Sequence, residues 1–256
     1  MNGFFAFLKK ELFELSRSGK LIIFGFVFVL FGIMNPAIAK LTPWIIEMSA
    51  DSLESQGIIV GNITVTAMDS WTQFVKNIPM AMIVTLIMFS SMFTGEYSKG
   101  TLIPILTKGL SRNNVVLSKT AVMFIIWSIG FWLCYGITYG YTAYYWDNSV
   151  VKNLGFMAFC WWLMGIFLIC VLTLFSSFSR SAPQVMTGVG GVYAVMYIIG
   201  MFSKIKRYLP ICILESSSMM TAQSEPDDYS AAILITISLS GLSLLVSLPV
   251  TRKRQL

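Results

Sequence analysis

Residues 154–178 read LGFMAFCWWLMGIFLICVLTLFSSF, 25 residues without a charge. A helix needs about 20 mostly apolar residues to cross the hydrocarbon core of a bilayer. Working outward, five more stretches qualify: 21–41, 77–94, 120–145, 184–203 and 230–250. Charged residues make up 12% of the 256, about half the roughly 25% usual in soluble domains. That leaves too few polar side chains to coat a water-soluble globule, and the mean hydropathy of +0.74 agrees. The reading is an all-α polytopic membrane protein with six transmembrane helices.

Orientation follows from the basic residues. With both termini in the cytoplasm, 12 of the 18 basic residues and three of the 12 acids fall inside, a balance of +9. Six basic residues and nine acids fall outside, a balance of −3. Inverting the chain breaks the positive-inside bias. One cluster resists: Lys204, Lys206 and Arg207 lie on the outer side. Snorkelling from the end of the fifth span would place them at headgroup level. The apolar segment 205–220, broken by Pro210, suits a short hairpin dipping back into the outer leaflet. The outer segment 42–76, with Glu47, Asp51, Glu54 and Asp69, is a cap or small subdomain at most. Residues 21–34 followed by Ala37-Ile38-Ala39 resemble a signal peptide, but the preceding 20 residues are long and amphipathic rather than short and basic.

Residues 1–19 place Phe4, Phe5, Leu8, Leu12 and Leu15 at helical spacing, with Lys9, Lys10, Glu14 and Arg17 on the other side. Such a stretch is an amphipathic helix lying in the membrane interface. Lys10 and Glu14 are four apart and Glu14 and Arg17 three apart, so each pair can meet on its surface. It serves either as a plain anchor or as a dock for a cytoplasmic partner. The inner connection 95–119 is too long for a hairpin and too short for a domain. In it, Thr101 is a candidate N-cap for a short apolar helix over 102–106, Gly109 ends that helix, and Ser111 caps the next one.

Excluded chemistries narrow the field. The chain has no histidine. That removes the usual near-neutral acid–base group, the commonest metal ligand and a Ser-His triad. Cys134, Cys160 and Cys170 sit in apolar runs and read as buried apolar residues. No catalytic residue and no metal-ligand set is expected. No span carries an acid or base near its centre, which argues against an ion-coupled carrier and an intramembrane aspartyl protease. No Gly-x-x-x-x-Gly-Lys-[Ser/Thr] phosphate loop is present, so any ATP hydrolysis falls to another subunit. Asn62-Ile63-Thr64 matches a glycosylation sequon, a weak signal by itself.

Glu96, Gly100, Thr101, Thr107, Ser111, Arg112 and Lys119 form a pattern that resembles the cytoplasmic coupling loop of ABC transporter type-2 permeases. This chain departs from the pattern in having Pro104 early and Gly109-Leu110 where the family commonly places proline. The resemblance extends to the whole plan and implies one permease domain over 1–256. It has an interfacial helix (1–19), a coupling loop (95–119) and extracellular segments (42–76 and 204–229), the second re-entrant before the last span. It further implies a dimer with an identical copy or a close paralogue. Two cytoplasmic ABC ATPase subunits would bind ATP and magnesium, so that this chain holds no cofactor. Phe4, Leu8 and Leu12 of the N-terminal helix, with the loop residues and Pro104, would contact the ATPase.

A cargo path would run between two permeases, lined by the second and fifth spans. The sequence is compatible, with Met82, Thr85, Phe89 and Met92 on one and Tyr193, Met196 and Tyr197 on the other. The glycines of the fifth span permit close helix approach. The chain has 16 methionines, soft residues that suit promiscuous apolar sites. Hydrophobic or amphipathic peptides, as in systems resembling phenol-soluble-modulin exporters and lantibiotic immunity pumps, are the expected cargo. A lipophilic drug or lipid exporter, and a non-transporting scaffold for an ATPase, are the alternatives. Nucleic acid is not an expected partner. The expected location is the plasma membrane of a bacterium.

Overall fold

The computed structural model describes residues 3–48, 64–101, 104, 107 and 109–253, and these are all-helical apart from turns and short connections. Seven helices organise it: α1 (Gly3–Arg17), α2 (Lys20–Met48), α3 (Ala67–Lys99), α4 (Arg112–Tyr145), α5 (Leu154–Ser176), α6 (Ala182–Gly200) and α7 (Ser230–Lys253). The six from α2 to α7 are long and apolar enough to cross a membrane.

These helices outrun the apolar stretches that announce them. The segment 42–76 is not one loop: α2 continues to Met48 and α3 begins at Ala67. Asp51, Glu54, Asn62 and Ile63 of that segment lie outside the described residues. Likewise α3 reaches Lys99 and α4 starts at Arg112, so the connection within 95–119 shortens to residues 100–111. Helices end where caps end them, not where hydropathy falls. Thr66 N–H donates to Asp69 Oδ2 at 2.8 Å and fixes the start of α3. Gly100, at φ 65°, terminates it in the left-handed conformation glycine favours. Ser111 Oγ accepts from Asn114 N–H at 3.2 Å and caps α4. Gly109 is left-handed, φ 89°, but the short helix expected over 102–106 falls almost wholly outside the described residues.

The opening stretch of the sequence becomes the hub. Of the most apolar stretch of α5, 72% is buried, against 17% for α6. Helix α5 packs against α3, α4, α6 and α7. Small residues set the closest approaches. Gly165 of α5 faces the buried Trp127 ring of α4, and Gly188 of α6 faces Phe175. Helices α2, α3 and α4 are further tied by amides: Asn35 donates to Thr138 Oγ1 at 2.9 Å, and Asn77 donates to Asn35 Oδ1 at 2.8 Å.

Between α6 and α7 the chain makes one helical turn, Ser203–Lys206, then a 3-10 coil, Pro210–Thr221, then a turn, Pro226–Tyr229. The coil buries Ile213, Met219 and Met220 and packs on α5 and α7. Tyr229 Oη donates to the Glu215 carbonyl at 3.0 Å and closes the segment. Two of the three residues in the basic cluster that resisted the charge pattern have local partners. Lys206 pairs with Glu215, and Arg207 lies over the Tyr208 ring.

Candidate functional site: an ion-pair network joining the N-terminal helix to the α3–α4 hairpin

Helix α1 turns Phe7, Glu11 and Leu15, each four residues apart, towards the bundle. Phe5 and Phe13 point outward, and Leu8 and Leu12 are half-buried against the core. So α1 is packed mainly on α4, and also on α2. Ser118 Oγ of α4 donates to the Phe4 carbonyl at 3.1 Å. Arg17 lies over the Phe13 ring, 5.4 Å from its centre.

An acid on the inward face of α1 needs a partner, because an uncompensated buried charge is expensive. Lys119 supplies it. This lysine sits two turns inside α4 and is 1% exposed; Glu11 is 3% exposed. Lys119 Nζ lies 2.8 Å from Glu11 Oε2 and 2.9 Å from Glu96 Oε2, and it donates to the Met92 carbonyl at 3.1 Å. Lys10 makes the matching set from the rim. Its Nζ lies 2.9 Å from Glu11 Oε1, 2.9 Å from Glu96 Oε1 and 2.7 Å from Glu14 Oε2. Glu11 and Glu96 therefore each bridge both lysines, and three helices are joined through one set of charges.

Burial pulls the Lys10 pKa down, but its hydrogen bonds to Glu14, Glu96 and Glu11 outweigh that and hold it above the ordinary lysine value. The hydrogen bond from Lys10 holds the Glu14 carboxyl below its ordinary range. The carboxylates of Glu11, Glu14 and Glu96 come within 4.8 Å of one another, near enough to share a cation. The two ammonium groups already occupy that role, so the cluster is an ion-pair network. It lines a cleft of about 560 Å³ that also takes in Ser18, Lys20 and Thr101.

The other loop residues point elsewhere. Arg112 Nη1 donates to the carbonyls of Thr251 and Arg252, at 3.2 and 3.3 Å, and Arg252 Nε donates to Asn113 Oδ1 at 2.9 Å. This ties the start of α4 to the end of α7. Thr107 Oγ1 donates to the Pro104 carbonyl at 3.0 Å, and Pro104, Thr107 and Thr101 are exposed. Of the expected coupling set, Glu96 and Lys119 meet in the network, Leu8 and Leu12 pack against the core, the Phe4 carbonyl accepts from Ser118, Ser111 caps, and Arg112 reaches α7. Glu11 was absent from that set. Its signal was legible all the same: a lone acid in register with the apolar stripe of an amphipathic helix.

The residues expected along the path divide. Met82 of α3 and Tyr193 of α6 share an apolar cavity of about 310 Å³. Thr85 and Phe89 turn into the bundle, Thr85 donating to the Ala81 carbonyl and Phe89 stacking with Phe24 of α2. Met92 and Met196 are buried, and Tyr197 is exposed. The open face of α3 carries Met80, Ile83 and Ile87.

A family model described as "ABC-2 family transporter protein" matches residues 5–205. A curated relative, an uncharacterized transmembrane protein of Bacillus subtilis (strain 168) called YxlG, is 22% identical over 258 residues. That match covers 100% of this chain and 98% of the relative.

Proposed function

The chain belongs to the ABC-2 family of transporter proteins, a multi-pass membrane permease that works with a separate ABC ATPase, and from this premise we propose that α1 and the α3–α4 hairpin receive the ATPase stroke as one body. The observation that carries this reading is the buried network of Lys10, Glu11, Glu96 and Lys119. It spans the helix and both arms of the connection that the resemblance assigns to ATPase contact. A push on residues 100–111 would reach α3 and α4 together, and α7 through Arg112.

In this reading two permeases, identical or paralogous, pair with two ATPases that bind ATP and magnesium. Both termini face the cytoplasm of a bacterium, as the +9 and −3 charge partition favours. The coil before α7 dips into the outer leaflet. Cargo moves between the permeases along α3 and α6. The exposed Met80, Ile83, Ile87 and Tyr197 suit a hydrophobic or amphipathic peptide better than a sugar or an ion. The test is transport of an amphipathic peptide into inverted vesicles holding the permease and its ATPase. Glu96→Ala and Arg112→Ala should keep ATP hydrolysis and lose most ATP-dependent accumulation. Unchanged transport in both variants rejects the coupling role, and no accumulation of any peptide by the wild type rejects the cargo.

A further inference from the structure

Helix α2 carries two prolines in its interior, Pro36 and Pro43. A proline inside a helix has no N–H for the carbonyl four residues back, and its ring crowds that carbonyl. At Pro36 the carbonyl left over is that of Gly32. Both residues are buried within a span, where a carbonyl without a partner is costly.

The replacement donor comes from another helix. Thr138 Oγ1 of α4 donates to the Gly32 carbonyl at 3.2 Å. A hydroxyl has one proton to give, so towards Asn35 Nδ2, 2.9 Å away, Thr138 is the acceptor. Asn35 Oδ1 accepts in turn from Asn77 of α3 at 2.8 Å. The relay therefore runs one way, from α3 through Asn35 and Thr138, and ends on the broken turn of α2. The backbones come close here: a Cβ at Gly32 would lie 2.9 Å from the Ile137 Cβ of α4.

The two sides of this turn are held differently. Before it, Phe24 and Phe28 are buried, Phe24 against Gly130 and Phe28 edge-on to Trp127 of α4. Beyond it, Ala39 is buried and Lys40 reaches over the Tyr145 ring of α4, but Leu41, Trp44 and Met48 are exposed.

We infer that the Gly32–Pro36 turn is a hinge in α2, and that Thr138, with Asn35 and Asn77 behind it, is the catch that holds it shut. A donor on α2 itself would stay with the break however the bundle moved. A donor on α4 closes it only while α4 stays against α2 at this level. When the two part there, the carbonyl is freed and residues 36–48 swing on the half clamped at Phe24 and Phe28. That the coupling stroke is what parts them rests on the reading above; the hinge itself does not.

The test uses the permease alone in nanodiscs, without ATPase or ATP. Cys212 is replaced by alanine, the other three native cysteines being buried. Spin labels at Leu41→Cys and Lys152→Cys read the C-terminal end of α2 against the connection before α5, and labels at Ile22→Cys and Phe178→Cys read its N-terminal end against the far end of α5; all four positions are exposed. Thr138→Val keeps the side-chain shape and removes the donor. It should broaden the Leu41–Lys152 distance distribution and leave the Ile22–Phe178 distribution as it is. Thr138→Ser, which keeps the hydroxyl, should match the wild type. Pro36→Ala returns an N–H to the Gly32 carbonyl, so in that background Thr138→Val should broaden neither distribution and should lower the melting temperature less. If Thr138→Val alone does not fold, the double variant should recover a folded permease. A Leu41–Lys152 distribution unchanged by Thr138→Val, or equal broadening at both ends, overturns the hinge. So does a Thr138→Val defect, in melting or in folding, that is the same with and without Pro36→Ala. None of these outcomes bears on coupling, which is read in the presence of ATPase.

Discussion

Lys119 carries the largest electrostatic stake of any side chain in the network. It is buried with Glu11 and faces Glu96, so removing its charge strips each of two carboxylates of its buried partner and leaves both to Lys10 on the rim. Lys119→Met should destabilise the permease by about 3–5 kcal/mol. Lys10→Met, at a group 38% exposed, should cost about 1 kcal/mol or less. Thermal unfolding in detergent micelles reads both, and a Lys119→Met melt as mild as Lys10→Met contradicts the buried network. The pH dependence follows from the rim of the cluster. The Glu14 pKa is held below its unfolded value by Lys10, so its stabilisation is present above about pH 4.3 and is lost as pH falls through the folded value. Lys10 is shifted the other way, so its stabilisation is complete below about pH 10.4 and is lost only above that. Glu14→Gln should therefore flatten the acid limb of a melting-temperature profile by lowering its pH 6–9 plateau slightly towards the acid value. A variant whose acid limb matches the wild type contradicts the assignment. The Lys10–Glu14 pair was legible in the sequence because it is set by one helical turn. The Glu11–Lys119 pair spans 108 residues and depends on α1 folding back on α4, which no local pattern states.

At the scale of elements, hydropathy located six spans and misplaced their ends. The apolar run at 77–94 is only the middle of α3, which the Thr66–Asp69 cap and Gly100 stretch to 33 residues. Those caps are polar signals, and a window that scores apolar content averages them away. Where helices touch, the decisive residues are small. Glycines of the fifth span were expected to allow close approach, and Gly188 does so against Phe175. Gly190 and Gly191 face open space instead. The tightest contact is on the fourth span. A Cβ at Gly165 would lie 2.1 Å from the Trp127 ring, and that ring is pinned by its hydrogen bond to the Trp162 carbonyl. Gly165→Ala should cost about 1–3 kcal/mol by overpacking. Gly190→Ala should be neutral or slightly stabilising, since helix propensity favours alanine by roughly 1 kcal/mol. Comparing the two melts separates a packing glycine from one that leaves a face open. Equal melts would mean that α4 and α5 are free to part at this point.

For the whole molecule, the question is which parts move together when force arrives at residues 100–111. Two ties reach out from that connection. The ion pairs hold α1 to α3 and α4, and Arg112 holds the start of α4 to the end of α7. Breaking the first tie requires separating the buried Glu11–Lys119 pair, whose charges are costly to leave uncompensated, so α1 and α4 should travel as one body through a transport cycle. The second tie is a pair of hydrogen bonds to carbonyls at an exposed helix end, and it is the weaker of the two. A covalent lock distinguishes the cases. Gly3 of α1 and Asn114 of α4 lie side by side at the surface, a Cβ at Gly3 falling 4.0 Å from Asn114 Nδ2, and three of the four native cysteines are buried. With Cys212 replaced by alanine, a Gly3→Cys/Asn114→Cys pair bridged by a short bismaleimide should raise the melting temperature and leave ATP-driven transport near wild type. If the bridge instead halts transport while hydrolysis continues, α1 slides on α4 during the cycle. The ion-pair network would then be a latch that opens rather than a weld that transmits.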